Sequence, residues 1–344
     1  MGLPKECEIQ LNHRYPKGEK NLITDVPGIK VGHITLCDDE KHIHTGVTAV
    51  FPHSGNIFQS KVPAAVSVIN GFGKSAGLVQ IEELGNIETP ILMTNTFGVG
   101  TALNALTKYM LEQNADIGVK TGTVNCVVTE CNDGELNDIR GLHVSEAHVR
   151  AALAEAGSGV FAEGAVGGGT GMICMGMKGG IGSASRLLEA DGKTYTIGAI
   201  VMSNFGCFGN LRVDGKEIGT ELTAAAEAEK GSIIMLIGTD LPLSDRQLRR
   251  IAKRATVSLA RTGSFLGHGS GDIAIAFSTA EENRIPHYSD QQILHAAYYY
   301  EGKIDRLFEA AAETVEEAIV SSLYHAETMN GIRGKTVHGL KEYL

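Results

Sequence analysis

Short apolar runs punctuated by glycine dominate this chain. Residues 29–36 and 46–51 predict two short strands, with the polar stretch 38–45 between them. Residues 64–69 form a small apolar run that stops at the turn Asn70-Gly71. Residues 91–95, 123–129, 194–203 and 232–237 read as further strands, and residues 272–278 alternate as a half-buried strand does. The period becomes helical over residues 101–111 and 145–156, where Ser145 followed by Glu146 supplies an N-terminal cap. It is helical again over residues 303–323, with Leu307, Ala310, Ala311, Val315, Ile319 and Leu323 as the stripe. Residues 240–259 are amphipathic and Arg-rich, and residues 221–230 read as a helix or an exposed connector. A dense run of glycines fills residues 164–182 around Gly167-Gly168-Gly169-Thr170-Gly171. No Pro/Ser-rich linker, repeat or boundary divides the 344 residues, so the pattern predicts one α/β domain over 1–344.

Composition narrows the function. The net charge is -10 and no long basic run appears, which argues against nucleic acid and mildly favours cationic ligands such as amines. Cys7, Cys37, Cys126, Cys131, Cys174 and Cys207 are scattered with no Cys-x-x-Cys pair, so reduced thiols and a cytoplasmic protein are expected. Met1 to Glu6 lacks an apolar signal core, and no apolar stretch approaches the roughly 18 residues of a membrane span. The 43 glycines, against an average near 7%, predict tight turns and close backbone approaches to a site.

Several motifs fail on inspection. Gly73-Lys74-Ser75 resembles the end of a phosphate loop, but Val68 stands where the first glycine belongs. Gly71-Phe72-Gly73 is followed by Gly77, which breaks the dinucleotide fingerprint. His42 and His44, beside Asp38, Asp39 and Glu40, lack a third spaced ligand and predict a solvated loop, not a metal site. Ser270 has His268 and Asp272 where a nucleophile elbow needs glycines. Ser232 is different. It follows Glu229-Lys230-Gly231 and opens the apolar strand Ile233-Ile234-Met235-Leu236-Ile237. Cutting the Gly231–Ser232 bond would give Ser232 a free α-amine, with a pKa of about 7.7–8.0, beside its own hydroxyl.

A set of segments carries a family resemblance. They are Asp25-Val26-Pro27-Gly28-Ile29-Lys30-Val31-Gly32-His33, Thr45-Gly46-Val47-Thr48, Asn70-Gly71-Phe72-Gly73, Glu130-Cys131-Asn132-Asp133-Gly134 and Gly169-Thr170-Gly171-Met172. They continue with Ser203-Asn204-Phe205-Gly206, Gly231-Ser232-Ile233-Ile234, Thr239-Asp240-Leu241-Pro242-Leu243 and Gly269-Ser270-Gly271-Asp272-Ile273. Together, from about residue 20 to beyond 280, they resemble the DmpA-type aminopeptidases of family S58, which include L-aminopeptidase/D-Ala-esterases and β-peptidyl aminopeptidases.

The resemblance implies a four-layer α/β/β/α sandwich with the nucleophile at the start of an inner strand. It implies a precursor that cuts itself into 1–231 and 232–344, homo-oligomers of the cleaved pairs, and no cofactor. Ser232 would be the nucleophile, Ser270 a second serine bonded to it, Asn204 the oxyanion donor and Glu130 the carboxylate that holds the substrate's free amino group. Some relatives carry an aromatic hydroxyl near Asn132; Asp272 would orient the Ser232 amine or cap the strand that follows it. The expected substrates are small peptides, or amino-acid amides and esters, with a free amine. L-, D- and β-amino-acid forms are not distinguished, and residues around Phe72, 172–177 and 205–211 are candidate pocket walls. Rival readings are an acyltransferase like the ornithine acetyltransferases (which use Thr), a nylon-oligomer-type hydrolase, and a binding protein that never cleaves.

Overall fold

The computed structural model describes residues 9–219 and 229–343, so most of the 221–230 stretch lies outside the described residues. The main strands are β1 (Lys30–Asp38), β2 (Ile43–Phe51), β3 (Ser60–Gly71), β4 (Ile91–Asn95), β5 (Val127–Cys131), β6 (Gly180–Ala190), β7 (Lys193–Asn204), β8 (Lys230–Thr239) and β9 (Gly269–Ser278). The helices are α1 (Leu78–Leu84), α2 (Val99–Gln113), α3 (Glu146–Ala154), α4 (Asp245–Ala252), α5 (Ala255–Arg261) and α6 (Asp305–Tyr324). One sheet has the order β1-β2-β4-β5, antiparallel except for the parallel pair β4/β5. The other runs β3-β9-β8-β7-β6, antiparallel except for the parallel pair β8/β9. Two-residue strands, Ile285–Pro286 and Asn86–Ile87, pair along β3.

Alternation along the strands builds the layers. Ile233, Met235 and Ile237 join Ile197, Ala199, Val201, Ala274 and Ala276 in a core shared with Leu248, Leu259, Val315 and Ile319 of α4, α5 and α6. The odd-even switch sends Ile234, Leu236, Ile200, Met202, Ile273 and Ile275 the other way, into a core with Val31, Val50, Met93 and Val127 of the first sheet. Val47, Ala49, Leu92 and Val128 then face Ala102, Leu106, Val149 and Leu153 of α2 and α3. The order is helices, sheet, sheet, helices, the expected α/β/β/α sandwich. Ser232 shares its parity with Ile234, and Asn204 with Met202, so both side chains fall on the face between the sheets, at the strand ends.

The boundaries differ from the pattern where partners decide them. The fifth strand starts at Val127 instead of 123, because its parallel partner spans only Ile91–Asn95; Asn125 is drawn aside by bonds to Glu88 and the Gly77 carbonyl. Strand β6 was hidden by its small residues. A Cβ on Gly182 would lie 2.0 Å from the Ala318 carbonyl of α6, so helix and sheet backbones touch there. The amphipathic stretch 240–259 divides into α4, capped by Ser244, and α5. Asp38 and residues 43–45 pair in the β1–β2 hairpin instead of forming a loop.

Helix α6 is buried almost throughout and carries Glu313, Glu316 and Glu317 into the interior. Fully buried Arg186 of β6 pairs with Glu313 and Glu317. Burial works to raise the Glu317 pKa, but bonds to His13, the Arg186 charge and Lys17 hold it well below the usual carboxylate range. Removing one partner strands the others in a dry site. Arg186→Met is expected to cost about 3–5 kcal/mol, read as a lower urea midpoint; an unchanged midpoint would show that the carboxylates find water.

Candidate active site

The ends of β7, β8 and β9 meet at one edge of the second sheet. Gly231 sits at φ +114°, in the region that favours glycine, and a Cβ there would lie 1.8 Å from the Asn204 carbonyl oxygen. No other residue fits this junction without moving the neighbouring strand. The buried Ser232 hydroxyl donates to the Gly231 carbonyl oxygen at 2.7 Å. It is therefore held against the carbonyl of the peptide bond that precedes its own nitrogen.

Asn204 lies directly opposite Ser232 in the antiparallel register. Its Oδ1 accepts from the Ile173 N–H at 2.8 Å, and its Nδ2 donates to the Asn132 carbonyl at 3.0 Å. These two bonds fix which way the amide faces. Among the described residues, no acceptor takes the second Nδ2 hydrogen. Asn132 reaches the site through its backbone; its own Oδ1 accepts from the Gly134 N–H.

On the parallel side, Ser270 pairs with Gly231, and Gly271 with Ser232. The Ser270 hydroxyl donates to Asp272 Oδ1, so the expected Ser270–Ser232 bond is not made in this arrangement. Asp272 Oδ2 is buried without a hydrogen-bond partner. Burial pushes the Asp272 carboxyl up to about 6, the Ser270 bond works against that, and the Glu229 charge adds to it.

Glu130 comes from the other sheet. Cys131 Sγ contacts the Met202 carbonyl at 3.6 Å, which lays the end of β5 over β7. Buried Glu130 accepts from the Lys74 N–H at 2.7 Å and from the Thr96 hydroxyl. A Cβ on Gly73 would be in ordinary contact with Glu130 Oε1 at 3.6 Å and with Gly271 Cα at 3.9 Å, so this residue lies between the carboxylate and β9 beside Ser232.

The structure thus gathers Ser232, Gly231, Asn204, Ser270, Asp272, Asn132 and Glu130 at one sheet edge. Of the candidate pocket walls, Phe72 is 61% exposed, with the Lys74 ammonium 3.9 Å from its ring. Met172, Met175, Met177, Phe205 and Leu211 are instead core residues. Sequence reasoning missed Thr96 and Glu229. The Glu229 carboxylate accepts from the Ser264 hydroxyl and, at 2.9 Å, from the Phe265 N–H, anchoring the chain just before the junction. Neither has a sequence signal beyond its place, Thr96 after a buried strand and Glu229 before Gly231-Ser232.

At the tip of the β1–β2 hairpin, Cys37 and His44 are cross-strand partners. The thiol faces His44 Nδ1 at 3.5 Å and Asp39 faces Nε2 at 3.6 Å, and one donor atom from each of Cys37, Asp39 and His44 lies within 4.8 Å of the others. Among the described residues no helix is long and apolar enough to cross a membrane.

Residues 21–337 match peptidase family S58 as a whole. The chain belongs to that family. It is 40% identical to "Beta-peptidyl aminopeptidase BapA" of Sphingosinicella microcystinivorans, over 94% of this chain and 86% of the relative. Among solved structures it is similar to the PH0078 protein from Pyrococcus horikoshii OT3, with TM-score 0.92 and 49% identity, covering 98% of this chain and 96% of that one. It is also similar to the L-aminopeptidase D-Ala-esterase/amidase of Ochrobactrum anthropi, described as a variant of the Ntn hydrolase fold, with TM-score 0.89 and 38% identity over 96% and 93% of the chains. This S58 protein is a serine-type aminopeptidase with an N-terminal-nucleophile hydrolase fold.

Proposed function

We propose that this S58 aminopeptidase folds residues 1–344 as one domain, cuts itself between Gly231 and Ser232, and uses the freed Ser232 to hydrolyse amides or esters of substrates with a free amino group. The observation that carries this is the Ser232 hydroxyl, 2.7 Å from the Gly231 carbonyl oxygen across a φ +114° glycine. Ser232 Oγ adds to the Gly231 carbonyl carbon, the C–N bond to Ser232 breaks, and Gly231 is left as an ester on Oγ. Water then hydrolyses the ester, leaving the Gly231 carboxylate and the Ser232 α-amine. The separate chains are 1–231 and 232–344.

In the cleaved enzyme the α-amine takes the Oγ proton as Ser232 attacks the substrate carbonyl, and returns it to the leaving amine or alcohol. Asp272 Oδ2, buried and unpartnered, is the acceptor that would orient the new amine, with Ser270 fixing the other oxygen. The free Asn204 Nδ2 hydrogen serves the oxyanion. Glu130, fixed by Lys74 and Thr96, receives the substrate ammonium. That a β-peptidyl aminopeptidase and an L-aminopeptidase D-Ala-esterase/amidase are both relatives supports small peptides, amides and esters as substrates, joined by the free amine. The free thiols of Cys37, Cys126, Cys131 and Cys174 favour the cytoplasm. The exposed Ile293, Leu294, Tyr298 and Tyr300 offer an apolar surface for homo-oligomers of the cleaved pairs.

The deciding experiment is intact mass under denaturing conditions. Two chains meeting at Gly231 and Ser232 support the reading, whereas a persistent 36.5 kDa chain that still hydrolyses peptides refutes self-cleavage as its source of activity. Glu130→Gln is expected to lower kcat/KM for free-amine substrates by roughly 10–100-fold, the worth of one hydrogen bond to a charged group. The same change should leave N-acetylated esters unaffected; equal losses on both would remove the amine-anchor role.

A further inference from the structure

Lys178 is a buried amine without a carboxylate partner. Its side chain is fully enclosed, and among the described residues no ion pair reaches it. Burial pushes its pKa down to about 7, with Cys174 and Asp133 acting in the opposite direction. A chain that keeps such a group in its interior pays for it in desolvation, so the contacts it makes are informative. All three go to backbone carbonyls of the glycine-rich segment: Met172 at 2.8 Å, Gly179 at 2.6 Å and Gly169 at 3.4 Å.

The Met172 carbonyl belongs to the same peptide unit as the Ile173 N–H. That N–H is the donor to Asn204 Oδ1 at 2.8 Å. The peptide is planar, so fixing its oxygen fixes the direction of its N–H. Ile173 is also the register partner of Lys178 in the two-residue ladder Ile173–Cys174 with Met177–Lys178. A continuous line of bonds therefore runs from Lys178 Nζ through the Met172–Ile173 peptide to Asn204 Oδ1, and the Asn204 Nδ2 lies at its far end. Hydrogen bonds in such a chain polarise one another, so the donor at its start reinforces the donor at its end.

We infer that Lys178 is a positioning residue of the aminopeptidase reaction, holding the Met172–Ile173 peptide so that Asn204 keeps its amide N–H turned to the oxyanion. Lys178 touches no substrate atom. It acts through Asn204, and the inference rests on the oxyanion role proposed for that residue.

A double-mutant cycle tests it, using Lys178→Met and Asn204→Ala alone and together, with turnover counted per free Ser232 N-terminus and folding followed by thermal melts. Lys178→Met is expected to lower kcat by about 10²-fold, the scale of a misplaced catalytic group, with KM within about twofold. In the Asn204→Ala background the same change should cost less than about threefold, because the group it positions is gone. Equal losses in both backgrounds, or a folded Lys178→Met enzyme with unchanged kcat, would overturn the role of Lys178 while leaving Asn204 in place. Asn204→Ala at full turnover would instead remove the oxyanion reading itself. If Lys178→Met does not fold, Lys178→Leu, which also lacks an N–H donor, takes its place in the cycle. Failure of both to fold would assign Lys178 to stability alone and end the proposal.

Discussion

Ser232→Ala is expected to yield one uncut chain of 36.5 kDa and to abolish aminopeptidase activity. Both effects follow from one atom. The Ser232 Oγ is the only side-chain atom that hydrogen-bonds the Gly231 carbonyl oxygen among the described residues, and it is bonded to it already. Alanine keeps the buried volume nearly unchanged and removes a single hydrogen bond, the one to the Gly231 carbonyl oxygen, so the fold should persist. The new N-terminus never forms, so the base is lost together with the nucleophile. In serine hydrolases, loss of the nucleophile costs on the order of 10⁶-fold in kcat, which here means activity at the assay floor. Mass spectrometry and a p-nitroanilide assay on one preparation read the two effects separately. A cut chain without activity would locate the self-cleaving nucleophile elsewhere and keep Ser232 for catalysis alone. An active uncut chain would remove both roles.

The position of Ser232 is written in the period of the strand that follows it. The apolar run that follows it predicts β8, and parity then places Ser232 with Ile234 and Leu236 on the face between the sheets. Asn204 follows the apolar run 194–203 and gains its role only from the family resemblance, because its place opposite Ser232 depends on the register of β7 with β8. What was not legible is whatever depends on a second segment. Lys178 sits alone between Met177 and Gly179, and nothing in that local pattern shows that three carbonyls will close around it. Thr96 becomes a support of Glu130 only because β4 and β5 run parallel and in register. Strand β6 lacks the apolar signature of a strand because Gly182 and Ala184 face α6, where the helix and sheet backbones touch, while Ser183 and Ser185 on the opposite face bond Ile23 N–H and Asp25.

Asn204→Ala carries the second large effect, with kcat expected to fall by about 10²–10³ and KM to stay within a few-fold. The partition is the point. The free Nδ2 hydrogen contributes when negative charge develops on the carbonyl oxygen, and little to the bound ground state. A loss confined to kcat therefore distinguishes an oxyanion donor from a residue that shapes the pocket, whose removal would raise KM. The same substitution should slow self-cleavage, since Asn204 lies opposite Ser232 and the junction carbonyl passes through a tetrahedral oxyanion of its own. Ile173 N–H and the Asn132 carbonyl lose their partner as well, a cost of about 1–3 kcal/mol each for a group left buried and unpaired. Asn204→Asp separates these contributions, because its carboxylate still accepts from Ile173 N–H but has no hydrogen for the oxyanion. If the aspartate variant retained turnover near that of the parent, the oxyanion would have to be held by backbone N–H groups, and Asn204 would be left as a strut between Ile173 and Asn132.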